Sequence, residues 1–411
     1  MPEINAGNTA WVMMATALVM LMTPALGFFY GGLVQRKNVL STLMHSFFIL
    51  ALISVQWVLW GYTLAFGPSQ GGLIGGLDWL GLRGVGMEVG PYGTAAGIPH
   101  LAFMMFQMMF AVITPALITG AFAERKRFKA FVVFTLLWAT FVYAPVAHWV
   151  WAADGWLLKF GALDFAGGTV VHITSGVSAL VAASVLGKRI GFGQKGLEPH
   201  NLTYTVLGAG LLWFGWFGFN AGSALAADGL AVNAFVVTNT AAAMGALTWM
   251  TASWLRHGQP SVLGAAAGAV AGLVGITPAS GYVDAQAAIL IGFGAGFFCF
   301  FAVDLLKKVI KVDDALDVFA VHGVGGIWGA LATGLFAQKA INSAGNDGLF
   351  YGNPELLLKQ AVAVGAVALY AGAVTFIVLK AIDVVIGLRV PEQEEVLGLD
   401  PTTHGEMAYQ L

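Results

Sequence analysis

Charge is what this sequence has least of. Nineteen basic and 21 acidic side chains make up 10% of 411 residues, where soluble domains carry about a quarter. A soluble fold of this size would have to cover its surface with apolar side chains. That excludes an ordinary soluble enzyme, a nucleic-acid binder and a disordered chain. The net charge of −2 leaves no long basic surface for a polyanion. Cysteine is almost absent as well. Cys299 alone, in the apolar run GFFCFFAV, excludes a disulfide framework and any multi-cysteine metal site. What is abundant is apolar: 58% hydrophobic residues and 55 glycines, which together fit tightly packed helices in a bilayer.

A helix that crosses a membrane needs about 20 residues with few or no charges. Eleven charge-free runs meet or approach that length, at 9–30, 42–66, 98–122, 131–150, 167–186, 202–221, 230–255, 261–277, 285–303, 318–337 and 360–379. The eighth is the shortest. None alternates apolar and polar residues as a membrane β-strand would. The expected fold is an all-α polytopic membrane protein with eleven transmembrane helices. Residues 1–387 form the membrane domain and 388–411 a cytosolic tail.

Lys and Arg orient the spans, because cytoplasmic loops are enriched in them. With the N-terminus outside, fifteen of the nineteen basic residues fall inside: Arg36, Lys37, Arg125, Lys126, Arg127, Lys129, Lys188, Arg189, Lys195, Arg256, Lys307, Lys308, Lys311, Lys380 and Arg389. Only Arg83, Lys159, Lys339 and Lys359 fall outside. The split supports an odd number of spans and an N-out, C-in topology. The first span has no basic n-region and is too long for an h-region, so it reads as a retained helix.

Eleven divides as five plus five plus one. Two five-span halves in tandem face opposite ways because five is odd, as in inverted-repeat transporters whose path lies between the repeats near the midplane. Internal echoes agree. The first span ends in Phe28-Phe29-Tyr30-Gly31-Gly32, and the sixth in Phe217-Gly218-Phe219-Asn220-Ala221-Gly222. The fifth follows Asp164 and contains His172; the tenth follows Asp317 and contains His322. Gly264, Gly268 and Gly272, with Gly292 and Gly296 and with Gly325 and Gly329, are spaced for close helix contact.

No Asp, Glu, Lys or Arg lies within the eleven runs, so the titratable groups left there are histidines. Ionisable groups within a membrane are functional candidates. His45, His100 and His148 sit near span ends, where packing explains them. His172 and His322 each lie in the span that closes one half of the repeat. They stand about 12 Å and about 7.5 Å of helix from Asp164 and Asp317, entering from opposite sides. Two neutral imidazoles meeting there offer nitrogen or N–H to a small polar solute. Asp164 and Asp317 read as helix N-caps, with a fixed negative charge for a nearby cation as the second reading of Asp164.

Aromatic residues give the other signal. Phe106, Phe110, Trp151, Trp216 and Phe219 fall near the outer ends of their spans, with the Ser223 hydroxyl close behind. An aromatic belt accounts for any one of them. Together, facing inward, they bind a weakly hydrated monovalent cation through ring faces. Anions find no intramembrane Arg or Lys, and divalent metals lack an oxygen cage. Neither a metal nor a cofactor is expected.

These residues stand in stretches that resemble the ammonium transporter family (Amt/Mep/Rh), its bacterial Amt branch closely. The stretches are FFYGGLVQRKNVLS at 28–41, AFAERKRF at 121–128, ALDFAGGTVVHI at 162–173, GWFGFNAGSA at 215–224, VDDALDVFAVHGVGG at 312–326 and GLRVPEQEEVLGLDPTTHGE at 387–406. They follow one another along essentially the whole chain. The resemblance implies an ammonium and methylammonium transporter or channel of the cell membrane, serving nitrogen metabolism, and not an enzyme. It implies Trp151, Phe110 and Ser223 as the outer recruitment site, with Asp164 beneath it. It implies Phe110 and Phe219 as a stacked phenyl gate, with Phe106 and Trp216 lining its approach. It implies His172 and His322 as twin histidines in a hydrophobic lumen that conducts NH3. It further implies a homotrimer with one pore per subunit, a tail that couples the pores, and a cytosolic face where PII-type signal proteins dock.

Three rivals were weighed. Two intramembrane imidazoles permit bis-histidine haem ligation, but no other haem- or quinone-site feature accompanies them. A flux-free ammonium sensor usually carries a signalling domain, for which the 24 residues after Gly387 are too few. An Rh-type gas channel stays open on sequence alone.

Overall fold

The charge-free runs fold as eleven apolar helices in chain order. The computed structural model describes residues 3–194 and 196–409. Lys195, counted above with the inner basic residues, lies outside them. Among the described residues, ten helices are long and apolar enough to cross a membrane. They are α1 (Ala6–Leu33), α2 (Arg36–Phe66), α3 (His100–Phe122), α4 (Phe128–Phe160), α5 (Gly168–Leu186), α6 (Leu202–Ala224), α7 (Gly229–His257), α9 (Ala285–Ile310), α10 (Phe319–Phe336) and α11 (Pro354–Val385). The eighth run forms the shorter α8 (Val262–Ile276). A short helix in the tail, α12, spans Glu392–Leu397. This is an all-helical polytopic membrane fold.

Local chemistry starts the helices where the charge-free runs begin. Side-chain oxygens of Asn5, Asn201, Asp228, Ser261 and Asp284 accept the backbone N–H three residues on, at 2.9–3.1 Å, and so cap α1, α6, α7, α8 and α9. The segment between α2 and α3 carries a two-stranded antiparallel hairpin, β1 (Ser69–Gln70) and β2 (Ile74–Gly75). Two of the span-end histidines hold that segment down. His148 contacts the Ser69 hydroxyl at 2.7 Å and the Ala65 carbonyl at 2.8 Å, and His100 meets the Tyr62 hydroxyl at 2.6 Å. His45 packs on Phe131 with ring centroids 4.4 Å apart.

Small residues set the helix spacing. Along the α1–α6 contact, a side-chain carbon added at Gly208 would overlap the backbone of Phe29, and one at Gly218 would lie 2.6 Å from Leu18 Cβ. The α8 glycines do the same against α7, where Gly268 faces Gly245 and Gly272 faces Ala241. The two histidine helices cross as tightly. Gly176, four residues past His172, lies on the backbone of Gly323, while Gly326, four residues past His322, lies on His172 Cβ and the Gly168 carbonyl. This reciprocity is the contact an inverted repeat produces.

Gly176→Ala should therefore cost more than the about 1–3 kcal/mol of ordinary overpacking, because its methyl meets main chain that cannot rotate away. Thermal unfolding of the purified protein should show a clear fall in Tm. Gly210→Ala, with nothing within 4 Å of the added carbon, should leave Tm unchanged.

The loops that carry the clustered basic residues converge at one end with the tail. There the Arg189 guanidinium donates to both Asp313 oxygens at 2.8–2.9 Å and to Glu124 Oε2 at 2.6 Å. All three side chains are nearly fully buried. Arg125 donates to the carbonyls of Ala121, Ala123, Gly187 and Asp313. Arg389 pairs with Glu395 of α12 at 2.8 Å, and Glu395 accepts the Ile190 N–H. Asp400 accepts the Leu40 and Ser41 N–H groups, fixing the tail beneath α2. Burial alone would lower the Arg189 guanidinium, but the Asp313 and Glu124 carboxylates outweigh it and hold it above its ordinary value.

Candidate functional site

The site is assembled from α3, α4, α5, α6 and α10. Asp164, just before α5, is the anchor of its outer part. Its Oδ1 accepts the Gly167 and Gly168 N–H groups at 2.7 Å. Its Oδ2 accepts the Thr169 N–H at 2.7 Å, the Thr169 hydroxyl and the Val170 N–H. Burial raises this carboxyl, and the Thr169, Gly167 and Gly168 donors oppose the rise. The Asp164 carbonyl also accepts the Trp151 indole N–H at 3.0 Å. One residue thus caps α5 and orients the tryptophan.

Trp151 meets Phe110 edge to face, with centroids 5.7 Å apart at 86°. Phe110 in turn lies 5.0 Å from Phe106 and 4.3 Å from Phe219. Phe106, Phe110 and Phe219 are 1% exposed, a buried aromatic cluster beside Trp151. The Ser223 hydroxyl donates to the Phe219 carbonyl at 2.8 Å, which leaves its oxygen lone pairs available as acceptors. Trp216 packs beside Phe219, with ring centroids 5.3 Å apart. It stands at the level of the histidines, stacked on His172 at 5.5 Å and donating to the Thr277 hydroxyl at 2.9 Å.

Below Phe219 come the two histidines. His172 and His322 stack at 5.3 Å and 22°, with their Nδ1 atoms 3.2 Å apart. One Nδ1 must carry the proton and the other accept it, so the pair holds two different tautomers. One Nε2 is then a donor and the other an acceptor. His172 Nε2 is buried without a hydrogen-bond partner. The surrounding walls are apolar, with Leu26, Ile113, Leu117, Leu212 and Val270 beside the rings of Phe29, Trp216 and Phe219. The cavity there, ≈ 10 Å³, is at the threshold for one water-sized molecule. His322 also lines a second cavity of ≈ 370 Å³, bounded by Tyr30, Lys307, Asp317 and Val321. His322 thus borders both the small cavity and the wide one, which lies toward the end that holds the basic loops.

Asp317 does not cap its helix. Its φ of +61° is incompatible with the extended N-cap conformation, and its carboxylate goes to Lys307 at 2.7 Å. The cap is Asp314, whose Oδ2 accepts the Phe319 N–H at 2.7 Å. The correction improves the internal symmetry, since Asp164–His172 and Asp314–His322 then have the same separation of eight positions. That spacing is visible in the sequence and is the signal by which Asp314 could have been found. Both histidines also lie on π-helical turns that open α5 and α10 (Gly168–Ile173 and Phe319–Val324). No group of three or more His, Cys, Asp or Glu placed to hold a metal occurs among the described residues.

Residues 10–409 match the model of the Ammonium Transporter Family. The ammonium transporter of Bacillus subtilis (strain 168) is 56% identical over 409 residues, covering 99% of each chain. The ammonium transporter Amt1 of Archaeoglobus fulgidus is 50% identical, covering 99% of this chain and all of its own. Among solved structures, Saccharomyces cerevisiae Mep2 superposes with a TM-score of 0.89 at 38% identity, over 95% of this chain and 88% of that chain. A sensor Amt protein reaches the same TM-score at 31% identity, over 97% and 98% of the two chains.

Proposed function

Because the chain belongs to the ammonium transporter family, and is a multi-pass plasma-membrane transporter of ammonium and not an enzyme, we propose how its residues divide the work. Ammonium sheds water at Trp151 and Phe110, whose ring faces replace part of its hydration. The Ser223 oxygen accepts one of its N–H groups. The Asp164 charge, buried close by, favours the cation without touching it. Phe110 and Phe219 then admit only what has lost both water and proton, because an apolar lumen does not solvate a charge. Phe106 and Trp216 line the approach to that gate, and ammonia crosses past His172 and His322. It is reprotonated in the wide cavity and released to the cytoplasm.

The observation that carries this reading is the histidine pair itself: two imidazoles 3.2 Å apart in an otherwise apolar cavity, with His172 Nε2 unpartnered. A buried nitrogen without a partner costs about 1–3 kcal/mol. A passing ammonia removes that cost by donating to an acceptor nitrogen or accepting from a donor one. The proton left at the gate either returns outside or follows along the imidazoles.

Further parts of the proposal concern assembly. The chain forms a homotrimer with one pore per subunit. The tail from 388 couples the pores, and the cytosolic face receives a PII-type protein. The decisive test is current recording from purified protein in liposomes. An ammonium-evoked current is the expected result if protons follow; ammonium flux without any current sinks that branch and leaves the electroneutral one. Flux without current and without ammonium selectivity would overturn the recruitment site.

A further inference from the structure

The two aspartates that cap the histidine helices are not equally provided with donors. Asp164 has donors on both oxygens. Asp314 is 1% exposed, and its Oδ1 meets none. Three residues on, Asp317 gives Oδ2 to Lys307 and likewise leaves Oδ1 without a donor. A buried carboxylate oxygen without a donor is costly. Two neighbouring carboxylates are costlier still when both are ionised, and a single proton between them removes the second charge.

We propose that Asp314 is a reversibly protonated positioning residue for His322 at the inner mouth of the pore, its proton relieving the repulsion between the Asp314 and Asp317 carboxylates. The positioning role rests on the pore reading of His322; the protonation does not. Asp314 reaches His322 through the helix it caps. Its Oδ2 holds the Phe319 N–H, the first residue of the π-helical turn that carries His322. When the proton leaves, Asp314 becomes a full carboxylate. It then binds that N–H more strongly and is repelled by Asp317. Both changes act on the first turn of α10.

Charged and titratable groups from the neighbouring elements bear on this pair. Lys307 of α9 pairs with Asp317 and opposes protonation. The Tyr30 hydroxyl of α1 feels the Asp314 charge while donating to the Leu117 carbonyl. Arg125 and Arg189 are held alongside by Asp313. Burial first, and Asp317 second, push the Asp314 carboxyl up to about 7 against the Phe319 and Val318 amides. The proton therefore exchanges near neutrality. The folded protein holds it more tightly than the unfolded chain does. That stabilisation is complete below the ordinary carboxylate range and is lost as pH rises through about 7.

The test is a pH titration of the purified full-length protein by difference infrared spectroscopy, paired with methylammonium uptake at varied internal pH. Wild type should show a protonated-carboxyl band that disappears through about pH 7, and uptake should change with the same midpoint. Asp314→Asn keeps an oxygen for the Phe319 N–H and cannot titrate. It should lose the band and flatten the uptake profile. Asp317→Asn, at a partly exposed position, should keep the band and move its midpoint down. That variant decides the matter if Asp314→Asn does not fold. No titrating band in wild type, a band unchanged in Asp314→Asn, a midpoint unmoved in Asp317→Asn, or an uptake profile indifferent to the band would each overturn the proposal. Failure of the pore reading has a different signature: uptake that ignores substitution of the histidines while the infrared titration persists.

Discussion

Replacing His172 or His322 with leucine is expected to cut ammonium and methylammonium transport about 10- to 100-fold while leaving the protein folded in the membrane. The magnitude follows from the geometry. The two Nδ1 atoms hold each other at 3.2 Å, and the remaining walls are apolar. Leucine fills much of the imidazole volume but removes one of the two polar groups that meet the solute. It also strands the surviving Nδ1. A lost or stranded buried hydrogen bond costs about 1–3 kcal/mol, and 1.4 kcal/mol corresponds to tenfold. Initial-rate uptake of labelled methylammonium into liposomes, compared at matched protein content, measures it. Uptake equal to wild type in both single variants would remove the histidines from the transport path. The same purified protein should be colourless; a Soret band would reopen the haem reading of this pair.

Arg189→Met should be the most damaging single change for stability, at about 3–5 kcal/mol. Arg189 is the only cation bonded to both Asp313 oxygens and to Glu124 Oε2 among the described residues. Its removal leaves two buried carboxylates facing each other. Glu124 also holds the Gln35 N–H and the Asn38 amide, so the disturbance spreads to the start of α2. Arg189→Lys restores the charge but not the two-pronged bond, and should recover only part of the loss. Thermal unfolding in detergent reports the difference. Its pH dependence supplies a second check. Burial alone would raise the Asp313 carboxyl, but Arg189 outweighs it and holds it below the usual range. A depressed carboxyl stabilises the fold above its unfolded value and loses that contribution as pH falls through the folded one. Wild type should thus be weakened by acid at this site, whereas in Arg189→Met burial is left to raise the carboxyl and acid should recover part of the lost stability. An unchanged Tm would show that the network carries no net stability.

The cytosolic network and the twin histidines differ in how far they could be read from the chain. Arg125, Arg189 and Arg389 counted in the sequence only as markers of the inner side. Nothing in the order of residues says that Arg189 meets Asp313 across 124 positions, or that the tail closes onto α2 through Asp400. The outer aromatic residues were legible as a set, because Trp151, Phe110 and Phe219 all fall at span ends. The sequence leaves the depth of Trp216 open. Its depth depends on which way the α6 helix turns against α8, and on the Thr277 hydroxyl that receives its N–H. Asp317 is the acidic residue nearest the apolar run, and by sequence alone it is the expected cap. Its backbone turns left-handed, and Asp314 takes the position.

Scarcity of charge determined, without any structure, that the chain lives in a bilayer and how many apolar helices it has. Those are properties of contiguous stretches: length without charge. The cost of burying a charge in hydrocarbon applies to every residue separately, so it can be read one residue at a time. Which groups meet inside is different. His172 and His322 come together from 150 positions apart only because Gly176 and Gly326 let α5 and α10 cross at backbone contact. The orphaned oxygen of Asp314 and the buried Arg189 network arise from the same long-range packing. Only the tertiary structure decided these, because the free energy of a polar group among apolar helices depends on the neighbour that reaches it and not on its place in the chain.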